Sequence, residues 1–207
     1  MRIVLICTAA AALASVGVAA SDPPPVCTAW MNHAGHVWVS PAGRGPMLSN
    51  AYFPGWPDGV DATIHVRLLD QNGDPIVAYP AEDIWLGAPV GVPFAYCAGG
   101  TVADDDTDAN GETTISRPLR AGGQVPPTDQ PRVFVGGQPI AFGDLPLTVN
   151  SPDVNGDLVV DLSDIVFFTQ DLLGGGIVDF RHDFNADGVL NLSDVVVLAA
   201  SLGDRCE

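Results

Sequence analysis

Asp153-Val-Asn155-Gly-Asp157-Leu-Val159-Val-Asp161-Leu-Ser163-Asp164 and Asp183-Phe-Asn185-Ala-Asp187-Gly-Val189-Leu-Asn191-Leu-Ser193-Asp194 are one pattern written twice. A repeat at fixed period marks one supersecondary unit used twice. Oxygen-bearing side chains fall at positions 1, 3, 5, 9 and 12 of both copies. They are Asp153, Asn155, Asp157, Asp161 and Asp164, then Asp183, Asn185, Asp187, Asn191 and Asp194. Position 7, Val159 or Val189, offers its backbone carbonyl. Ca²⁺ takes six to eight oxygens in a flexible shell, and a tight loop aims alternate side chains inward to supply them. Mg²⁺ fits less well, because it demands a small octahedron and keeps its waters. Neither loop contains Cys or Met, which argues against zinc or copper. The expected cofactor is Ca²⁺, two ions.

A helix is expected after each loop. Ile165, Phe168 and Leu172 fall at i, i+3 and i+7, and Val195, Leu198 and Leu202 repeat the spacing. Each triad draws one apolar stripe. Ser163 and Ser193 are placed to cap these helices. The run Val195–Val197 favours a strand on propensity, but β-branched residues are only weakly unfavourable in helices, so the repeat decides.

Two Asp-x-Asn-x-Asp loops, each followed by one helix, resemble a type I dockerin. The resemblance implies a calcium-loaded module that docks onto a cohesin-like domain in an extracellular assembly, often one that breaks down polysaccharides. It also implies that positions 10 and 11, Leu162 and Ser163 with Leu192 and Ser193, help select the partner. Their identity in the two copies implies two docking orientations. One departure stands out. Position 6 is Leu158 in the first copy, where the family has the glycine kept by Gly188 in the second; a non-glycine residue strains that turn.

The N-terminus reads as a secretory signal peptide over residues 1–20: Arg2, an apolar run from Ile3 to Ala14, then Val18-Ala-Ala20 as a small-residue cleavage site. The expected location is therefore secreted or cell-surface. Nothing else is long and apolar enough to span a bilayer. The chain has 25 acidic residues against eight arginines, no lysine, and a formal net charge of −17. That excludes Schiff-base chemistry and a phosphate loop of the lysine type, and disfavours nucleic acid and anionic membranes as partners. Residues 151–207 hold eleven acids and two arginines, so bound Ca²⁺ relieves self-repulsion. A module that short buries little, and calcium is expected to help hold it folded.

Between the signal and the loops, short apolar runs alternate with Gly, Pro, Asn and Asp after a proline-rich leader, Ser21–Pro25. Expected strands are Val37–Val39, Ala62–Leu69, Ile76–Tyr79, Asp83–Leu86, Glu112–Ser116, Arg132–Val135 and Leu147–Asn150, a spacing that suggests a β-sandwich. Asp70-Gln-Asn-Gly73-Asp-Pro75 and Thr107-Asp108-Ala-Asn-Gly111 resemble turns of bacterial immunoglobulin-like domains, which implies a spacer or adhesive unit. Secretion permits disulfides. Cys27–Cys97 is the expected pair, with a bridge from Cys206 to either as the alternative. Asp104–Asp108 reads as a solvated turn, and His33-x-x-His36 lacks further ligands. Trp30, Trp38, Trp56 and Trp85 read as core or strand-pair residues ahead of a carbohydrate-stacking face. No catalytic constellation is legible.

The resulting expectation has three segments: signal 1–20, an all-β immunoglobulin-like sandwich over 21–150, and a small all-α dockerin-like domain over 151–207. Its function is docking of a cohesin-like partner, without catalysis. The alternatives are an extracellular structural or adhesive protein with a calcium-stabilised end, and a small glycan hydrolase.

Overall fold

The computed structural model describes residues 5–6, 26–53, 59–140, 145–173 and 180–207. Apart from Leu5 and Ile6, the signal reading, the proline-rich leader and Trp56 lie outside those residues.

In chain order the strands are β1 (Leu5–Ile6), β2 (Val26–Met31), β3 (Gly35–Trp38), β4 (Ile64–Leu69), β5 (Ile84–Gly87) and β6 (Phe94–Tyr96). They continue with β7 (Glu112–Ile115), β8 (Ala121–Gly123), β9 (Arg132–Val135), β10 (Gln138–Pro139) and β11 (Leu147–Asn150). Two helices follow, α1 (Leu162–Leu173) and α2 (Leu192–Ser201).

Strand β4 shows why this half is β. Ile64, Val66 and Leu68 point inward and are buried, while His65, Arg67 and Leu69 alternate outward and are half-buried. It lies between β2 and β7 in an antiparallel sheet ordered β1-β2-β4-β7. A second sheet runs β10-β9-β5, and β6 pairs with β8. Strands β3 and β11 pair in parallel, Gly35 with Leu147 through Trp38 with Asn150. All surround one apolar core that includes Val37, Ile64, Val66, Leu86, Ile115, Val133, Leu147 and Val149. Gly35 is required where β3 meets the core, since a Cβ there would stand 2.6 Å from that of Ala62.

Six of the seven expected strands exist. Ile76–Tyr79 is instead a turn. Thr107 seizes its backbone: the Thr107 hydroxyl donates to the Ile76 carbonyl at 2.6 Å and accepts from the Tyr79 amide at 2.8 Å, while the Thr107 carbonyl accepts from the Ala78 amide at 2.8 Å.

The expected pairing of an immunoglobulin-like sandwich with an all-α domain is corrected. The described β elements fall into sheets of four, three, two and two strands, one of them a parallel pair. The chain is mostly β, with α1 of 12 residues and α2 of 10 as its helices. The stretch after Asn150 is largely loop rather than helix, for a local reason. Gly156 and Leu158 in the first copy, and Ala186 and Gly188 in the second, all have positive φ, which a right-handed helix cannot contain.

This stretch is also stitched to the β elements. The Asn150 side-chain amide donates to the Phe180 and Asp183 carbonyls at 2.8 and 2.9 Å, and the Ser151 hydroxyl donates to the Val39 carbonyl at 2.8 Å. Arg44 pairs with the buried Asp204 at 2.8 Å. Val160, Phe168, Phe184 and Leu198 form a small second core, and Trp38 of β3 packs against it.

The disulfide is Cys97–Cys206, with a Cα–Cα distance of 5.5 Å, and the expected Cys27–Cys97 pairing is corrected. Cys27 sits within β2, opposite Leu68, with its side chain in the main core. The C-terminus is delivered to Cys97 by a short ladder in which the Val160 amide donates to the Asp204 carbonyl and the Gly203 amide to the Val160 carbonyl, both at 2.9 Å.

Candidate metal centre

Each loop is built by its own carboxylates. Asp153 accepts from the Gly156 amide at 2.9 Å, the Asp157 amide at 3.2 Å and the Leu158 amide at 2.8 Å. In the second copy, Asp183 accepts from the Asp187 amide at 3.1 Å and the Gly188 amide at 2.9 Å. Asn155 donates to Asp157 at 2.9 Å and to the Ser163 hydroxyl at 3.2 Å; Asn185 does the same to Asp187 and Ser193, at 2.9 and 3.0 Å. The Val159 amide donates to Asp157, and the Val189 amide to Asp187. The sequence repeat is therefore a repeat of hydrogen bonds.

Positions 9 and 12 close each loop by starting a helix. Asn191 is the N-cap of α2, accepting from the Ser193 amide at 2.8 Å, while Asp194 accepts from the Asn191 amide at 3.0 Å. Asp161 and Asp164 make the same reciprocal pair before α1, at 2.7 and 2.9 Å. This is a capping box. The expected caps, Ser163 and Ser193, instead donate their hydroxyls to the residues that do cap, Asp161 and Asn191, at 2.7 and 2.8 Å. Asp164 and Asp194 also reach back to position 2, accepting from the Val154 and Phe184 amides at 2.8 and 2.9 Å.

Electrostatics set these carboxylates apart. Asp153, Asp164 and Asp194 are fully buried. The Asp153 carboxyl is pushed up to about 6, first by burial, against the pull of the Leu158 amide, with the charges of Asp164 and Asp157 adding to the rise. Burial also raises Asp164, Asp183 and Asp194 above the ordinary carboxylate value. Such neighbours resist ionising together, and a divalent cation inverts that balance.

The donor chemistry fits a hard cation. Asp153, Asn155, Asp157, Asp161 and Asp164, with the Val159 carbonyl, offer only oxygen ligands; Asp183, Asn185, Asp187, Asn191 and Asp194, with the Val189 carbonyl, do likewise. An ionised carboxylate has about four lone-pair sites, so the amide bonds leave acceptor capacity. Among the described residues, no group of three or more His, Cys, Asp or Glu side chains stands in metal-holding geometry.

The supports were not visible in the sequence pattern. Gly122 of β8 lies against Asp153, where any side chain would run into the carboxylate, and the Gly123 amide donates to the Asp153 carbonyl at 2.7 Å. Asn150 anchors the entrance of the second loop. None of the three belongs to a periodic motif.

The proposed partner-selecting residues lie on the outside. Leu162 is 75 % exposed and Leu192 78 %, and one turn later Val166 is 52 % and Val196 66 % exposed. Ile165 and Phe168, with Val195 and Leu198, face the small core, whereas Leu172 and Leu202 are partly exposed.

Other candidates have structural employment. Asp104 meets Arg117 at 3.5 Å and accepts from the Thr114 hydroxyl at 2.8 Å; Asp106 accepts from the Ala81 amide at 2.9 Å. Partial burial lowers the His36 pKa, against a hydrogen bond with Asn150 that raises it. His33 instead reaches the Asp61 carbonyl at 3.3 Å.

No family model matches the chain. A stretch of 42 residues is 50 % identical to each of two known proteins. Both are the long isoform of ulvan lyase, one from Alteromonas (strain LOR) and one from Pseudoalteromonas (strain PLSV). That match covers 20 % of this chain and 4 % of either lyase. No solved structure matches. No helix among the described residues is long and apolar enough to cross a membrane.

Proposed function

We propose that this chain is a secreted calcium-binding protein that docks a cohesin-like partner through its duplicated loop–helix units, without itself being a catalyst. The observation that carries the reading is the doubled design of the loops. Two sets of oxygen donors share one hydrogen-bond plan, and each presents an exposed Leu followed by an exposed Val one turn on. Bound Ca²⁺ would neutralise the clustered carboxylates and stiffen both loops. The chain's own residues do the rest. The capping boxes aim α1 and α2, and Leu162, Ser163 and Val166, with Leu192, Ser193 and Val196, form two equivalent apolar faces. The short match to ulvan lyases is consistent with a setting of polysaccharide breakdown.

The test is calorimetry on the whole chain, because the loops rest on Asn150, Gly122 and Trp38. Calcium should fill two sites, with one lost in Asp153→Ala and one in Asp183→Ala. A panel of type I cohesin domains should then bind only with calcium present. Leu162→Asp and Leu192→Asp should each be tolerated singly and abolish binding together. Calcium binding without binding to any cohesin would favour a second reading, an extracellular structural protein with a calcium-stabilised end. The tight stitching of the C-terminus to the β elements supports that reading.

A further inference from the structure

The two loops agree in their oxygen positions and differ in charge at one of them. Position 9 is Asp161 in the first copy and Asn191 in the second, so the first loop holds four carboxylates and the second three. Both side chains cap a helix with one oxygen. Asp161 Oδ1 accepts from the Ser163 amide and hydroxyl, both at 2.7 Å, and Asn191 Oδ1 accepts from those of Ser193, both at 2.8 Å. A backbone N–H can only donate, which fixes the end of the Asn191 amide that is oxygen.

What is left of each side chain differs in kind. Asp161 keeps a second carboxylate oxygen, which when ionised can only accept. Asn191 has an NH₂ group there, which donates to the Val189 carbonyl at 3.1 Å and, more loosely, to the Asp187 carboxylate at 3.5 Å. Those are the oxygens of positions 7 and 5. The second loop thus commits to its own amide two acceptors that a cation would use. Turning the amide over does not release them freely, because Ser193 would lose its cap oxygen.

Other features do not rank the loops. A left-handed Leu158, φ 68°, strains its turn with or without an ion and so acts on stability rather than on affinity. Both first aspartates are backed by the β elements: the Asp153 carbonyl accepts from the Gly123 amide at 2.7 Å, and the Asp183 carbonyl from Asn150 at 2.9 Å. Position 3 donates to position 5 at 2.9 Å in both copies. Calcium affinity follows ligand charge and site rigidity, and with similar backing the charge decides.

We propose that the duplicated loops form two unequal calcium sites, the first filling at lower calcium than the second, with position 9 setting the order. The inference rests on the calcium reading and adds a rank to it. The consequence is a graded response, in which α1, capped by Asp161, is steadied first and α2 only at higher calcium.

Calcium calorimetry on the full chain should show two steps about tenfold or more apart in affinity. The Val159 amide signal in NMR spectra should shift with the first step and that of Val189 with the second. Asn191→Asp should tighten the second step about tenfold, and Asp161→Asn should weaken the first by a similar factor. Each substitution writes one loop's residue into the other, and both residue types already cap a helix in this chain, so folding is retained; melting in chelator checks that. The two together should invert the order in which Val159 and Val189 respond. Two steps of equal affinity, a second loop that fills first, or indifference of either step to its substitution would overturn the ranking and leave calcium binding standing. No binding at either loop would instead sink the calcium reading, and the ranking with it.

Discussion

At Gly188 the backbone has φ 80° and a Cβ would meet nothing within 4 Å, so Gly188→Ala changes only conformational energy. It should cost about 1 kcal/mol. The first loop puts Leu158 at the equivalent position with φ 68°, and Leu158→Gly should return a similar amount. Urea unfolding in calcium and in chelator measures both. The carboxylates make a second prediction at this scale. Asp153 titrates near 6 when folded against an ordinary 3.8, so between those values the folded state binds more protons than the unfolded one. Stability of the calcium-free protein should fall as pH rises through that window. In calcium the trend should reverse, because protons then compete with the metal. Melting temperatures at pH 4.5 and 7, with and without chelator, check the sign.

At the scale of elements, a few residues at the loop ends decide where each helix begins. Asn191→Ala removes the cap of α2 and should cost about 1 kcal/mol even in chelator, with a further loss in calcium. Ser193→Ala, which deletes a donor to that cap and an acceptor for the Asn185 amide but leaves the cap itself, should cost less. Helical circular dichroism against urea separates them. The loops were legible from sequence because nearly everything that shapes them is local: donor and acceptor sit within the same loop, so spacing alone exposes them. What spacing cannot expose is double duty. Asp161 and Asp164 read as ligands alone, yet they also cap and close a helix. The turn at Ile76–Tyr79 shows the converse limit. Its apolar run reads as strand, and only Thr107, far along the chain, makes it turn. Strand β2 went unread for a similar reason, since its place depends on β4 and its composition carries no alternation of its own.

For the whole molecule, the sequence announced a separate helical unit at the end of the chain, and the described residues form none. Two short helices cannot bury Phe168 and Phe184 by themselves; Trp38 helps cover them. The partner of Cys97 was equally out of reach, because it depends on where Asp204 and Val160 meet. The bridge spans 109 residues. Cys206→Ser should therefore lower stability by about 5 kcal/mol on loop-closure entropy, with the loss reproduced by reductant in the wild type. Chemical denaturation of both forms checks it. A matching loss of calcium affinity would show that the clasp also steadies the loops.

That same bridge has a mechanical consequence. A protein pulled by its two ends in an optical trap extends only as far as its covalent path allows. Here that path short-circuits at Cys97 and Cys206, so both acidic loops and both helices lie inside a closed ring that tension does not enter. At about 3.5 Å per residue, a span of 109 residues hides roughly 380 Å of contour length until a reductant opens it. A docked partner tugging on the helices would strain the ring across its width, where the β core holds it, and could not unravel it from the end.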